Sequence, residues 1–532
     1  MKVFSGSRRD FLKFTGRGAA LFLAASCASP LEQLAKTSPT RLLELSPSIE
    51  DDLKLAPGFS SKVLISWGDK INKDNDTFGF NNDYIAYIPL EGLKDEGLMW
   101  VNHEYVHPLF VSGHIIDDSY TRKTKDQATE EMKAVGGSII HIKKQNDQWV
   151  VKTDSPYNRR LDAFTPIPFS QGLEVYGSKT AIGTLANCAG GVTPWNTYLT
   201  CEENYQNFFG EAVYEKNDNR IFQNAKWQMG WDIHYSHPPE HYGWVVEIEP
   251  KTGVAKKLVS LGRFSHEGAC TIRARDGRVV VYMGDDANDE CFYKFISDST
   301  DSLDSGTLYV ANLESGKWIP LDMSNPILKK KFKNQTELLI RTREAAHLVG
   351  ATKLDRPEDC EIDPITGHIY LNCTNNVPAG RPYGSIHKFI EKNNDYTSLE
   401  FESSIFLFGG EKSKISCPDN LAFDKKGNLW VTNDISEDEI GQGAYKPFGN
   451  NALFYIPMSG QYQGVAFRVA QAPNDAELTG PFFSDDGRTL FLSVQHPGAK
   501  TKDLKNLTSH WPNGGNEIPR PSVVAIKIPD FL

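Results

Sequence analysis

Four stretches of the chain follow one pattern. "EIDPITGHIYLNCTNN", "AFDKKGNLWVTND", "FFSDDGRTLFLSVQHP" and "RARDGRVVVYMGDD" each run apolar into a turn built on aspartate and glycine, then into a second β-rich strand. Glycine supplies the positive φ such turns need. The turn aspartates Asp363, Asp424 and Asp485 stand 61 residues apart. A fixed interval of this kind marks a repeat architecture. Strand–turn–strand repeats suit a β-propeller with one four-stranded blade per repeat. The length beyond a leader fits about six blades. The chain therefore reads as all-β, a six-bladed β-propeller with helical and loop insertions; the alternative is a β-sandwich with coincidental hairpin spacing. The segment Asn325 to Asp355 breaks the pattern, and its composition predicts a helical insertion over one face.

The residues before each turn carry the chemistry. "SHEGACTIRARDG", "RPEDCEIDPITG", "CPDNLAFDKKG" and "DAELTGPFFSDDG" each begin with a carboxylate and then become apolar. In a propeller the first strand of a blade lines the channel, and its first residue lies at the channel mouth. Glu267, Glu358, Asp419 with Asn420, and Glu477 are thus expected to converge on one axis. The ends of the second strands should return there, bringing Asp285 and Asp286, Asn433 and Asp434, and His496. Crowded carboxylates disfavour one another's ionisation. Either some are protonated or cations neutralise them, and oxygen ligands in number suit calcium or a similar ion. Taken singly, each reads better as a surface turn carboxylate; recurrence of the set at equivalent blade positions favours metal.

An earlier stretch, "GTLANCAGGVTPWNTYLTCEENYQNFF", sets Cys188 among small residues ahead of adjacent Glu202 and Glu203. Earlier still, "VNHEYVHP" holds His103 and Glu104. Cys188 has three readings: core filler, half a disulfide, or a metal ligand. A thiolate suits a softer transition metal such as iron or zinc rather than calcium. One thiolate among many carboxylates points to a cluster of soft and hard ions together. Besides Cys27 there are seven cysteines, an odd number, so at least one is unpaired. Cys188 is the candidate; the pairing of Cys201, Cys270, Cys291, Cys360, Cys373 and Cys417 stays open.

The N-terminus places the protein. "SRRDFLKFTGRGAALFLAASCAS" has a charged start and an apolar stretch too short to span a bilayer. Ser7-Arg8-Arg9-Asp10-Phe11-Leu12-Lys13 is a twin-arginine pattern, implying passage through the twin-arginine (Tat) export machinery to a periplasmic or extracellular location. Cys27 is a candidate lipid anchor; the alternative is a signal cut nearby without lipid. Residues 1–29 read as signal, 30–48 as polar tether and 49–532 as propeller. A net charge of −11 argues against nucleic acid as a partner. Monomer is the default expectation.

These motifs together resemble the PhoX family of bacterial alkaline phosphatases. The matching strings include the twin-arginine leader, "WVNHEYV", "NCAGGVTPWNTYLTCEENYQNFF", "HPPEHYGWVVEIEP", "GRFSHEGA", "VVYMGDDANDECFYKF", "RPED", "SCPDNLAFDKKGNLWVTND" and "LTGPFFSDDGRTLFLSVQHPG". The resemblance implies a six-bladed propeller. It also implies a phosphomonoesterase whose cofactor joins two ferric ions (Fe3+), three calcium ions (Ca2+) and a bridging oxo group. It assigns Cys188 as the bridge between irons, Glu358 and Glu267 as metal ligands, and Arg356 as a phosphate ligand. Arg468 fits the second phosphate-binding arginine. Glu104, Glu202, Glu203, Asp286, Asn420 and Glu477 complete the expected ligand set. One departure is "TPWNTY", where the family usually reads "TPWGTW", so that Asn196 replaces a glycine in the loop beside Cys188.

On this reading the protein hydrolyses phosphate monoesters at a mixed iron/calcium cluster in the channel. Arg356 and Arg468 clamp phosphoryl oxygens, and His103 and His266 either support ligands or serve structure. The rivals are a calcium-dependent lactonase of the gluconolactonase and paraoxonase type, and a non-catalytic binding propeller stabilised by ions.

Overall fold

The computed structural model describes residues 44–115, 123–215, 217–225 and 229–532. The export signal, Cys27 and most of the expected tether lie outside the described residues. Six antiparallel sheets of four principal strands each form the blades. Their inner strands are, in order, Asn82–Pro89, Asn187–Val192, His266–Arg273, Pro357–Ile362, Pro418–Phe423 and Glu477–Phe483, for blades I to VI. Each inner strand packs beside the next, and the sixth meets the first, which closes a ring about a channel. Blade VI takes its outer strand from the other end of the chain: Ser60–Ser66 pairs with Ser522–Lys527. That pairing zips the ring shut and leaves fewer open edges.

The turns form for the reason the sequence suggests. Asp424 Oδ1 accepts from the amides of Lys426 and Asn428, both at 2.9 Å, and Gly427 follows at φ 80°. Asp363 accepts from Ile365 N at 2.9 Å ahead of Gly367 at φ 73°. In the third repeat the capping carboxylate is Asp486, which accepts from Arg488 N at 2.9 Å, and not Asp485. The equal spacing of the aspartates is thus inexact at the level of hydrogen bonds, although each turn occupies the same place in its blade.

The predicted helical insertion contains three short helices, Pro326–Lys331, Gln335–Ile340 and Thr342–Leu348. Asn325 and Asn334 cap the first two through their side chains. Leu328, Leu338, Ala345 and Ala346 bury against Val259, Leu261, Tyr293 and Leu308 of the propeller. The expected tether ends earlier than residue 48. Leu45 N donates to Arg468 O at 3.0 Å on the outer strand of blade V, and Glu44 pairs with Lys414 at 2.6 Å. That strand has an open edge, and the passing chain satisfies part of it. No disulfide joins the described cysteines; all seven are free thiols.

Candidate metal centre

Every blade repeats one irregularity. Between inner and second strand the register slips by one residue near the channel mouth: at 82–85, 187–190, 267–270, 357–360, 418–421 and 479–482. Such a β-bulge re-aims a side chain. In blades I, II, IV and V the re-aimed region carries Asp83, Cys188, Glu358 and Asp419. In each of these the residue two positions earlier is left-handed: Asn81, Ala186, Arg356 and Cys417 have φ of 51°, 54°, 52° and 52°. Left-handed backbone at non-glycine residues costs on the order of 1–3 kcal/mol each and collects at functional sites. In blades III and VI the bulge holds glycine instead, Gly268 at φ 73° and Gly480 at φ 56°, and Glu267 and Glu477 supply the carboxylates.

A second ring comes from the residue directly after each second strand: Glu104, Glu203, Asp286, Thr374, Asp434 and His496. The two rings meet. Donor atoms of Asp83, Glu104 and Cys188 lie within 4.8 Å of one another, as do those of Cys188, Glu203 and Glu267, and those of Glu267, Glu358 and Asp419. Shared members join the three groups into one chain across five blades. Thr374 Oγ1 donates to Glu358 Oε1 at 2.6 Å. Gln495 Nε2 donates to both Glu104 (2.7 Å) and Asp83 (3.2 Å). Asn102 donates to the carbonyls of Cys188 and Ala189, which fixes the backbone under the thiol.

Arg356 is the cation brought to this group. Its Nε and Nη2 each reach Asp286 at 2.8 Å, and Nη2 lies 2.9 Å from Glu358 Oε1. Burial opposes the charge on Asp286, but Arg356 outweighs it and holds that carboxyl below its ordinary range. The other acids go the opposite way. Burial first, then mutual repulsion, pushes Glu104, Glu203, Glu267, Glu358 and Glu477 well above the usual range. Burial raises Asp83 to about 7 and Asp419 to about 8. It raises the Cys188 thiol too, with Asp83 and Glu267 adding to it.

The donor set fits cations. Asp83 Oδ1, Glu203 Oε1 and Glu267 Oε2 are buried and accept no hydrogen bond, and the side-chain amides of Asn81 and Asn82 neither donate nor accept one. A buried polar atom without a partner costs about 1–3 kcal/mol, so several in one place, on crowded acids, mark a site for positive charge. One thiolate among hard oxygen donors suits soft and hard ions together.

Three expected site residues lie elsewhere. Glu202 turns into blade II, where its Oε1 lies 2.6 Å from Lys257 Nζ and its Oε2 accepts from Gly243 and Trp244 amides. Alternation along a strand sends neighbours to opposite faces, so only Glu203 reaches the channel. Asn420 Oδ1 accepts from Gly480 N at 2.8 Å in the next blade, and Asp419 takes the position facing the cluster. Arg468 lies on the fourth strand of blade V, its guanidinium 5.0 Å from the Phe454 ring, outside the channel. Glu477 meets His496 Nε2 at 3.5 Å. His103 and His266 serve structure: His103 bonds Phe80 O and Ser138 Oγ, and His266 bonds Gly262 O and stacks on Phe264. Asn196 sits at φ 62°, a left-handed conformation that asparagine tolerates better than most residues. The expectation missed Asp83, because "NNDYIAYIP" lacks the turn that marked four of the other blades.

Comparison with known proteins agrees with this geometry. The sequence profile of alkaline phosphatase PhoX matches residues 40–498. Among solved structures, Pseudomonas fluorescens PhoX in complex with vanadate, a transition state analogue, is 30% identical with a TM-score of 0.81, covering 92% of this chain and 99% of that one. A protein of unknown function from Dyadobacter fermentans is 9% identical, with a TM-score of 0.41 over 89% of this chain and 100% of that one. A gluconolactonase from Xanthomonas campestris is 9% identical, with a TM-score of 0.33 over 92% of this chain and 99% of that one. No match is found among curated proteins. With the profile spanning most of the propeller and its acid rings, the chain belongs to the PhoX family of alkaline phosphatases and is a phosphomonoesterase.

Proposed function

We propose that the protein is an exported alkaline phosphatase that hydrolyses phosphate monoesters to inorganic phosphate at a mixed metal cluster in the channel mouth. The observation that carries the reading is the joined set of Cys188 and carboxylates with Arg356 at its edge. Two ferric ions, three calcium ions and a bridging oxo group are the cofactor proposed from the family resemblance. Cys188, Glu203, Glu267, Glu358, Asp83, Glu104 and Asp419 would hold it. When bound, the cations supply positive charge for the phosphoryl oxygens and acidify water.

The chain's own residues do the rest. Asp286 and Glu358 engage Arg356 through Nε and Nη2, which leaves Nη1, 3.9 Å from Asp434, to donate to a phosphoryl oxygen. Donation from Nη1 to a phosphoryl oxygen is charge-assisted and strengthens as negative charge builds in the transition state. Burial of the acids excludes water that would screen that charge. Export by the twin-arginine route, a periplasmic or extracellular location, a lipid at Cys27 and a monomeric state belong to the same proposal.

The test is p-nitrophenyl phosphate hydrolysis with elemental analysis, on protein exported by its own signal and purified without chelator. Iron and calcium in the preparation, with phosphate release abolished by chelation, is the expected result. Full activity in protein stripped of both metals would overturn the proposed cofactor.

A further inference from the structure

We propose that Glu290, Cys291 and His347 form a binding site for a borderline divalent cation such as Zn2+, apart from the channel cluster. Donor atoms of the three lie within 4.8 Å of one another. Cys291 is the single residue between two strands that belong to different sheets: Asn288–Glu290 pairs with Leu354–Asp355, and Phe292–Ser297 pairs with Val279–Asp285. The chain therefore changes course at Cys291. Neighbouring side chains that a continuous strand would send to opposite faces come together there. His347 arrives from Thr342–Leu348, the last helix of the insertion.

A separate observation points into the same place. Tyr293 is fully buried, and its hydroxyl has no hydrogen-bond partner. Tyr293 follows Cys291 by two positions and packs in the same buried cluster with it. Three protein ligands leave a fourth position open on a tetrahedral cation, and a water there would give the Tyr293 hydroxyl its partner. Thiolate with imidazole selects zinc-like ions over calcium or magnesium. Arg343 does not occupy the site: it forks onto Asp285 and stands 3.9 Å from Glu290 Oε1. His347 Nε2 now lies 3.0 Å from Glu290 Oε2. Cation entry would release the thiol proton of Cys291 and any proton on His347, so binding strengthens as pH rises.

The experiment titrates the holoprotein with Zn2+ against a chromophoric chelator, and separately with Co2+ followed in the near ultraviolet. Wild type should bind one equivalent of Zn2+ more than Cys291→Ala or His347→Ala. Co2+ should give a thiolate charge-transfer absorption that Cys291→Ala reduces by the share of this site, leaving any contribution from Cys188. Equal Zn2+ uptake by wild type and His347→Ala would overturn the proposal. So would an unchanged Co2+ absorption in Cys291→Ala. His347 is exposed, so its variant keeps the test valid even where loss of buried Cys291 disturbs folding.

Discussion

Glu203 and Glu202 are consecutive, yet they face different worlds: Glu203 joins Cys188 and Glu267 in the channel, while Glu202 lies 2.6 Å from Lys257 inside blade II, with neither of that pair exposed. The two carboxylates therefore fail differently when neutralised. Glu202→Gln leaves Lys257 buried without its counter-charge, a loss of about 3–5 kcal/mol. Its expected sign is a lower melting temperature, with metal content per folded molecule unchanged. Glu203→Gln removes one repelling charge and one ligand oxygen. It should keep the metal-free fold at least as stable as wild type while lowering bound metal and activity. Thermal melts beside elemental analysis separate the two; equal behaviour would show that both face the channel.

The arginines divide in the same way. Arg356 holds Asp286 through two bonds of 2.8 Å at the edge of the cluster. Arg356→Lys keeps the charge and loses the fork. A fall in kcat/KM on the order of 10²-fold is expected from loss of one transition-state donor. Arg468→Met removes a cation packed on Phe454 outside the channel and should leave kcat/KM unchanged. Steady-state kinetics of the two variants side by side decides the point, and a comparable loss in both would return Arg468 to the site.

Cys188 is the one thiol in the joined donor groups, with Asn102 fixing the backbone beneath it. Cys188→Ala should lose the softer metal and phosphatase activity together, while calcium falls less because oxygen donors remain. Elemental analysis of variant and wild type checks this. Retained iron with retained activity would return Cys188 to the status of a buried thiol.

What the sequence revealed, and what it hid, follow from the same geometry. The aspartate–glycine turns are local, and their period announced the blades. Acids at the starts of inner strands were legible where an apolar run and then a marker turn follow, as in "CPDNLAFDKKG". Which of two adjacent residues faces the axis was not legible. The bulge adds one residue per blade, and simple alternation from the turn then misassigns Asp419 and Asn420. Asp83 was hidden because its blade closes without the marker turn. Arg468 looked apt because it precedes the last acidic strand, but an outer strand also precedes it, and strand rank within a blade appears only once the sheets are paired.

The raised carboxyl groups give the metal-free protein an unusual dependence on pH. In the unfolded chain, aspartates titrate near 3.9. In the folded protein burial holds Asp83 to about 7 and Asp419 to about 8, and raises the glutamates of the cluster in the same direction. Below the unfolded values all these groups are protonated in both states, and folding meets no penalty from them. Between those values and about 8 the folded state binds more protons than the unfolded state, so stability falls as pH rises, by about 1.4 kcal/mol per pH unit for each proton in question. Asp286 has the opposite sign, since Arg356 holds it below its ordinary range, and its contribution is complete once pH exceeds the unfolded value. With cations bound, the protons are displaced and the penalty disappears. Melting curves of chelated protein should therefore shift to lower temperature from pH 5 to pH 8, while those of the metal-loaded protein do not, and the two sets should converge toward acid as protons displace the cations. A melting temperature of the chelated protein that rises across that window would mean that the acids are ionised without metal and that some other group neutralises the ring.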